Sequence, residues 1–219
     1  IRKLIVRLLP GSLQPERSVL DAVAQNLLAL QDGASPLPQL CGTLFEAYSE
    51  LEDASRQVEE FLDLIEQNAT DELASEPAVL AGVLDTIGIV HLGFEDAQRA
   101  ETSLSAALTA RRALHSRGEC SDAELAESLH NMGRVHIIRG DLDAAERSYR
   151  ESLDLRIAHS GEVHPKVSET LNSLGSIEYL RGHNAEAERF YERALPIDRQ
   201  VLGPRHPDVA GTMNNLARL

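Results

Sequence analysis

A twelve-residue segment that occurs twice near the C-terminus constrains this chain more than any other feature of its sequence. HPKVSETLNSLG, at residues 164–175, recurs as HPDVAGTMNNLA at residues 206–217, an offset of 42. The segments AAERSYRESL (144–153) and EAERFYERAL (186–195) are related by the same offset. A fixed period of roughly 20 to 50 residues is typical of stacked supersecondary units, each of which buries its apolar face against its neighbours.

The repeat extends upstream with slightly different spacing. Residues 83–108 align without a gap with residues 128–153 at an offset of 45, and the extra residues fall in the linker at 117–122. A weaker copy begins near residue 40. We therefore divide the chain into three parts. Residues 1–33 are N-terminal helices, with the end of a preceding domain as one interpretation; residues 34–80 are a degenerate first repeat; residues 81–219 are repeats, the last truncated to its first helix.

Composition and periodicity both predict helices. The chain has no Trp and only four Phe and four Tyr, which gives little material for a β-sandwich or barrel. Each clear unit contains two apolar stripes at helical spacing, separated by a turn. In the third unit the turn includes Gly182, as a helix stop, and Asn184, as a candidate cap for the next helix. The predicted fold class is all-α, built from helix pairs.

Two kinds of residue interrupt the helical pattern. Gly133 and Gly175 lie in the middle of a predicted first helix, where glycine costs roughly 1 kcal/mol relative to alanine, so we expect a neighbouring helix to approach closely there. Pro196 lies inside the predicted second helix of the third unit, where we expect it to remove a hydrogen bond and kink the helix.

Net charge and motif content exclude several functions. The formal net charge of −14 disfavours nucleic-acid and membrane-surface partners, and no apolar run reaches membrane-spanning length. Cys41 and Cys120 lack partners at metal or disulfide spacing, which fits a cytoplasmic location. His91 and His136 share one repeat position, which favours a structural role. Without a catalytic or phosphate-binding motif, we expect no enzymatic activity and no cofactor.

The matched positions resemble the tetratricopeptide repeat. A small residue occupies the eighth position of each unit (Gly88, Gly133, Gly175 and Ala217), and alanine occupies the twentieth (Ala100, Ala145 and Ala187). The 42-residue period is similar to the kinesin light chain subtype, which also occurs in bacterial signalling proteins. This resemblance implies an α-solenoid, a right-handed superhelix of antiparallel helix pairs.

The resemblance also implies a binding surface. In that family the first helices of successive units line a concave face that binds an extended peptide or a partner helix. The positions carried over to this chain are His130, Asn131, Arg134, Ile137, Asn172, Ser173, Ser176, Tyr179, Asn214, Asn215 and Arg218. Asn side chains offer both a donor and acceptors to a peptide backbone, and Arg134 and Arg218 could meet carboxylates. Alternatively, Asn172 and Asn214 join neighbouring helices and hold the stack.

Three hypotheses about function follow. The first is a non-catalytic scaffold that binds a protein or peptide. The second is a sensor or regulatory segment of a larger bacterial signalling enzyme, either a serine/threonine kinase or a caspase-like protease, because the chain lacks an initial Met and stops inside a repeat. The third is self-association through the C-terminal helix, whose Val209, Met213 and Leu216 we expect to be exposed.

Overall fold

The computed structural model describes residues 54–94 and 96–219. Every regular element in this part of the chain is an α-helix. The helices are α1 (Ala54–Glu72), α2 (Pro77–Gly93), α3 (Ala97–Ser116), α4 (Asp122–Ile138), α5 (Leu142–Ser160), α6 (Pro165–Leu180), α7 (Asn184–Val201) and α8 (Pro207–Ala217). The N-terminal helices predicted at 1–33, and much of the degenerate repeat predicted at 34–80, lie outside the described residues.

Residues 77–219 form one compact unit, and α1 belongs to the part of the chain before it. Within 77–219 the helices pack in sequence as pairs: α2 with α3, α4 with α5, and α6 with α7, followed by α8. We number these repeats as units 1 to 4 and call α2, α4, α6 and α8 the first helices. The predicted all-α solenoid of helix pairs is confirmed. The predicted boundary between residues 80 and 81 falls inside α2, which begins at Pro77.

His-Pro pairs begin two of the first helices. The Nδ1 atoms of His164 and His206 each accept a hydrogen bond from the backbone N–H two residues later, at 3.2 Å, and Pro165 and Pro207 occupy the first helical turn. The proline needs no backbone donor there, and its ring fixes a helical φ. The histidine side chain therefore takes the place that Ser, Asp or Asn usually has at a helix start.

The turn between the two helices of a unit is set by glycine. Gly140 and Gly182 have φ angles of 77° and 79°, which favour glycine, so Gly182 ends α6 as predicted. The prediction that Asn184 caps α7 is wrong. Asn184 is the first residue of the helix, His183 occupies the capping position, and no side chain caps the helix there.

The glycines in the first helices allow an aromatic ring from the second helix to lie against the backbone. A Cβ atom added to Gly133 would lie 2.6 Å from Cε1 of Tyr149, and one added to Gly175 would lie 2.5 Å from Cε1 of Tyr191. Gly88 is in similarly close contact with the side chain of Leu104. The predicted close approach at these glycines is confirmed.

The core is shared between consecutive units. Tyr149 and Leu153 of α5 pack with Leu171 and Leu174 of α6 and with Ala194 of α7 in one buried cluster. Each unit therefore covers the apolar face of the one before it, as expected for a repeat array. The helix α7 continues through Pro196 to Val201 as one α-helix. None of the described helices has the combination of length and apolar composition that crossing a bilayer requires.

Candidate protein-interaction site

The residues predicted to bind a ligand differ in exposure. Those that keep accessible surface are Arg134, Ile137, Asn172, Ser173, Ser176, Tyr179, Asn214, Asn215 and Arg218, which we call the first-helix face. His130 and Asn131 were predicted to contact a ligand, but they are only 4% and 2% exposed. His130 instead packs on the ring of Tyr149, with the ring centroids 4.9 Å apart. Neither residue presents a surface to a ligand in this structure.

Two arginines on the first-helix face form no ion pair with an acidic residue in the described part of the chain. Arg134 and Arg218 occupy the same repeat position in units 2 and 4, with Ser176 between them, and both are exposed. No carboxylate in the described part of the chain forms an ion pair with either guanidinium group. Arg218 lies over the ring of Tyr179, 5.0 Å from its centroid, with Nη2 3.4 Å from the phenol oxygen. These cations are therefore accessible to an anionic group from outside.

Two tyrosine hydroxyls approach the same face from the second helices. The Tyr149 hydroxyl lies near Ser173 and Arg134, and burial of the side chain raises the pKa of Tyr149 to about 12. The Tyr191 hydroxyl lies 3.2 Å from Oγ of Ser176, and burial also raises the pKa of Tyr191. Both phenols are neutral at neutral pH, so Arg134 and Arg218 are the charges on this part of the face.

Asn172 joins neighbouring helices. Its Nδ2 donates to Oγ1 of Thr212 on α8 at 2.9 Å, and its Oδ1 lies 3.1 Å from the same hydroxyl. The interpretation in which this residue holds the stack therefore applies to Asn172. Asn214, which had the same two interpretations, is exposed.

Beneath the first-helix face, one polar contact recurs at each of the three junctions between units. We call it the junction slot. Each slot combines the residue at the fifth repeat position, on a first helix, with a residue of the following second helix and a hydroxyl from the next first helix. The three slots are Asp85, Arg111 and Ser128; His130, Arg156 and Thr170; and Asn172, Asp198 and Thr212.

The first slot is an ion pair. Nε of Arg111 donates to Oδ2 of Asp85 at 2.8 Å, and the Ser128 hydroxyl donates to the same carboxylate at 2.8 Å. Burial raises the pKa of Asp85 above its usual range, and the charge of Arg111 opposes this shift. A second carboxylate, that of Glu124 on α4, lies 3.3 Å from Nη1 of Arg111. Arg111 therefore connects α3 to both neighbouring first helices.

The second slot is centred on Arg156. Its Nη1 donates to Oγ1 of Thr170 at 2.6 Å and lies 3.4 Å from Nδ1 of His130. The same guanidinium pairs with Glu127 at 2.7 Å and with Glu169 at 3.1 Å. Burial lowers the pKa of His130 to about 4, so its imidazole is neutral at neutral pH. The one permanent cation of this slot is thus neutralised by carboxylates from α4 and α6.

The third slot contains an acidic residue and no arginine. Asp198, 2% exposed, replaces the arginine and accepts a hydrogen bond from Oγ1 of Thr212 at 2.9 Å. Asn172 completes the slot through the same hydroxyl.

A second contact between units lies near the ends of the first helices. Arg139 pairs with Glu101 at the junction of units 1 and 2, and Nη1 of Arg181 lies 2.6 Å from Oε2 of Glu146 at the junction of units 2 and 3. Arg181 also pairs with Glu178 of its own helix at 2.8 Å. The junctions between units 1, 2 and 3 are therefore held at two places.

Among the described residues, no group of three or more His, Cys, Asp or Glu side chains could hold a metal ion. His91 is buried and His136 is partly buried, as expected of residues in a structural position.

Comparison with known proteins agrees with the fold. A tetratricopeptide repeat family model matches residues 124–200 and 166–219. Residues 124–219 are therefore similar to the tetratricopeptide repeat. A search of curated protein sequences found no match.

Two solved structures share the fold of this chain. BtubC (BKLC) from P. vanneervenii is 20% identical, with a TM-score of 0.62 over 75% of this chain and 64% of that one. A kinesin light chain with nearly identical repeats, from Podosopora anserina, is 16% identical, with a TM-score of 0.61 over 84% of this chain and 86% of the other. The predicted resemblance to kinesin-light-chain-like repeat proteins is confirmed. The chain spans 64% of the BtubC structure.

Sequence reasoning missed the junction slots, although the sequence contains a signal for them. Each slot position recurs at the 45- and 42-residue offsets of the repeat, but its residue type changes from unit to unit. A search for polar residues at recurring positions, rather than for identical residues, would have found them.

Proposed function

We propose that the tetratricopeptide repeats bind an extended peptide segment of a partner protein across the first-helix face. Repeats of this family generally act as protein-interaction scaffolds. The observation that carries the finer proposal is the pair of exposed arginines, Arg134 and Arg218, which form no ion pair with any carboxylate of residues 54–94 and 96–219.

Arg147 and Arg193 also form no ion pair with the described residues, and Arg134 and Arg218 differ from them in lying on the first-helix face. The sequence has 35 Asp and Glu residues against 21 Lys and Arg. The arginines at the junctions, Arg111, Arg156 and Arg181, are each paired with carboxylates. A guanidinium group binds a carboxylate through two parallel hydrogen bonds, which adds geometric specificity to charge attraction. We infer that Arg134 and Arg218 meet carboxylates supplied by the partner.

The repeat spacing suggests how these carboxylates are arranged. Packed helices lie roughly 8 to 10 Å apart, so equivalent residues two units apart are separated by about 20 Å. An extended chain advances about 3.3 Å per residue, which places the two acidic residues of the ligand about six residues apart. Between them, Ile137 and Tyr179 offer apolar surface, and Asn214 and Asn215 offer amides to the ligand backbone.

A random twelve-residue peptide library selected on the purified chain tests this function. We expect the enriched peptides to carry two acidic residues about six positions apart. We also expect the double variant Arg134→Gln with Arg218→Gln to lose most of its affinity for them without losing helicity. The matched control is Arg147→Gln with Arg193→Gln, which removes two exposed charges from the second helices. Equal binding by the two double variants would refute the proposed site.

Self-association is a second proposal, and one observation favours it. Met213 is 48% exposed, whereas Leu171 at the equivalent position of α6 is 1% exposed. Leu216 is partly buried. The expectation that Val209 is exposed is wrong: it is buried, like Val167 at the same repeat position, because this side of a first helix faces the preceding unit.

The alternative role, as a regulatory segment of a larger signalling enzyme, stays a hypothesis, as do a cytoplasmic location and the lack of enzymatic activity. The sequence of the complete gene would test the first of these, since a catalytic domain beside the repeats is its central requirement.

A further inference from the structure

The three junction slots differ in the residue that the second helix contributes, Arg111, Arg156 or Asp198, and the first helix that follows each slot also differs. The helices that follow the two arginine slots carry a glutamate at the same repeat position, Glu127 in α4 and Glu169 in α6, and Glu169 pairs with Arg156. Glu124, which pairs with Arg111, lies at a different position, where α6 has Lys166 and α8 has Asp208. Asp198 occupies the same place in the third slot. The position of α8 equivalent to Glu169 is Gly211, which has no side chain.

We propose that charge matching at the junction slots selects which first helix stacks on which unit. A slot that contains arginine accepts a following helix with a glutamate beside it. The slot that contains Asp198 accepts a helix without an acidic residue at that position.

The apolar contacts distinguish units 2 and 3 poorly, because they are nearly the same in these two units. The fourth position of units 1 to 3 is Leu84, Leu129 or Leu171, all buried. Tyr149 and Tyr191 make the same contact with a glycine. Units with interchangeable apolar faces can stack out of order, either within one chain or between two copies, and such mispairing is a characteristic failure of repeat proteins. A buried polar contact opposes it, since a mismatched partner leaves a charge without compensation.

The electrostatic cost is clear when a first helix is placed on the wrong unit. If α4 packed on unit 3, Glu127 would take the place of Gly211 near the carboxylate of Asp198, and that slot has no arginine to offset it. If α8 packed on unit 2, Arg156 would lose the ion pair it makes with Glu169, because Gly211 stands in its place. Each mispairing therefore costs electrostatic energy that the native order avoids.

The third slot is suited to a direct test, because a side chain can be added at Gly211 without steric conflict. No atom lies within 4 Å of the Cβ position, and the backbone has an ordinary helical conformation. Gly211→Glu and Gly211→Gln add side chains of the same size that differ in charge. Their comparison separates electrostatics from helix propensity, which favours both variants over glycine.

Hydrogen exchange of the α8 amides, relative to those of α4 in the same molecule, is the measurement. We expect Gly211→Gln to protect α8 at least as well as the wild type, and Gly211→Glu to exchange roughly ten times faster than Gly211→Gln. Asp198→Arg alone should speed exchange of α8 by roughly ten- to a hundred-fold, because a buried guanidinium is left without a carboxylate.

The double variant Asp198→Arg with Gly211→Glu rebuilds the chemistry of the second slot at the third junction. We expect its α8 amides to exchange more slowly than those of Asp198→Arg alone by about ten-fold or more. Glu188→Arg, which makes the same change of charge at an exposed site on α7, is the control and should leave α8 unaffected. The proposal is overturned if the two substitutions simply add, or if Gly211→Glu and Gly211→Gln exchange alike. Even if Asp198→Arg detaches α8 completely, the comparison of Gly211→Glu with Gly211→Gln still tests whether charge at this junction affects the packing of α8.

Discussion

The contact between Gly175 and Tyr191 predicts that a single methyl group destabilises this protein. In Gly175→Ala the new Cβ would lie 2.5, 2.8 and 2.9 Å from three ring atoms of Tyr191. The ring is buried, so it cannot rotate into solvent. Overpacking of this kind costs about 1 to 3 kcal/mol, and three contacts below 3 Å place this site near the upper end. The helix gains about 1 kcal/mol when alanine replaces glycine, which leaves a net loss of about 2 kcal/mol.

Urea unfolding monitored by far-UV circular dichroism measures this loss. Gly211→Ala is the matched control, since it makes the same substitution in a first helix where no atom lies within 4 Å of the new methyl group. We expect it to stabilise α8 by up to about 1 kcal/mol. In a Tyr191→Ala background, Gly175→Ala should no longer be destabilising. The packing argument is refuted if Gly175→Ala is as stable as the wild type while Tyr191 is present.

Two further predictions concern His130 and Met213. The fold lowers the pKa of His130 from 6.5 to about 4 and so favours the neutral imidazole. Its contribution to stability is present above pH 6.5 and is lost as the pH falls towards 4. As the pH is lowered across this range, the melting temperature should fall less for His130→Asn, which introduces the residue found at the equivalent position 172, than for the wild type. Equal falls in the melting temperatures of the two proteins would contradict this prediction. If α8 mediates self-association, sedimentation velocity should show a concentration-dependent larger species that Met213→Ser removes, and a single monomeric species would exclude it.

Structural features that depend on identical residues at fixed offsets could be predicted from the sequence alone. Gly133 and Gly175 repeat together with Tyr149 and Tyr191, and a glycine inside a helix needs a compensating contact, so the close helix approach could be predicted. The helix pairs followed from apolar periodicity together with Gly182 at the turn.

The burial of individual polar residues could not be predicted in this way. His130 lies at the repeat position that is partly accessible as Asn172 in the next unit, yet it is covered because it packs between Tyr149 and Arg156. A list of positions carried over from a family treats such residues as equivalent. Their neighbours differ, however, and burial depends on the neighbours. The junction slots could not be predicted for a related reason: the residue type at a slot position changes between units, as where Asp198 replaces Arg111 and Arg156.

The central claim is that a peptide binds along α4, α6 and α8 between Arg134 and Arg218. The most direct test is to map amide chemical-shift changes by NMR while a selected acidic peptide is titrated into the isotope-labelled chain. We expect the largest changes on the three first helices, around Arg134, Ser176 and Arg218, and we expect them to disappear in the double variant Arg134→Gln with Arg218→Gln. Changes concentrated on the second helices α3, α5 and α7 would contradict the account.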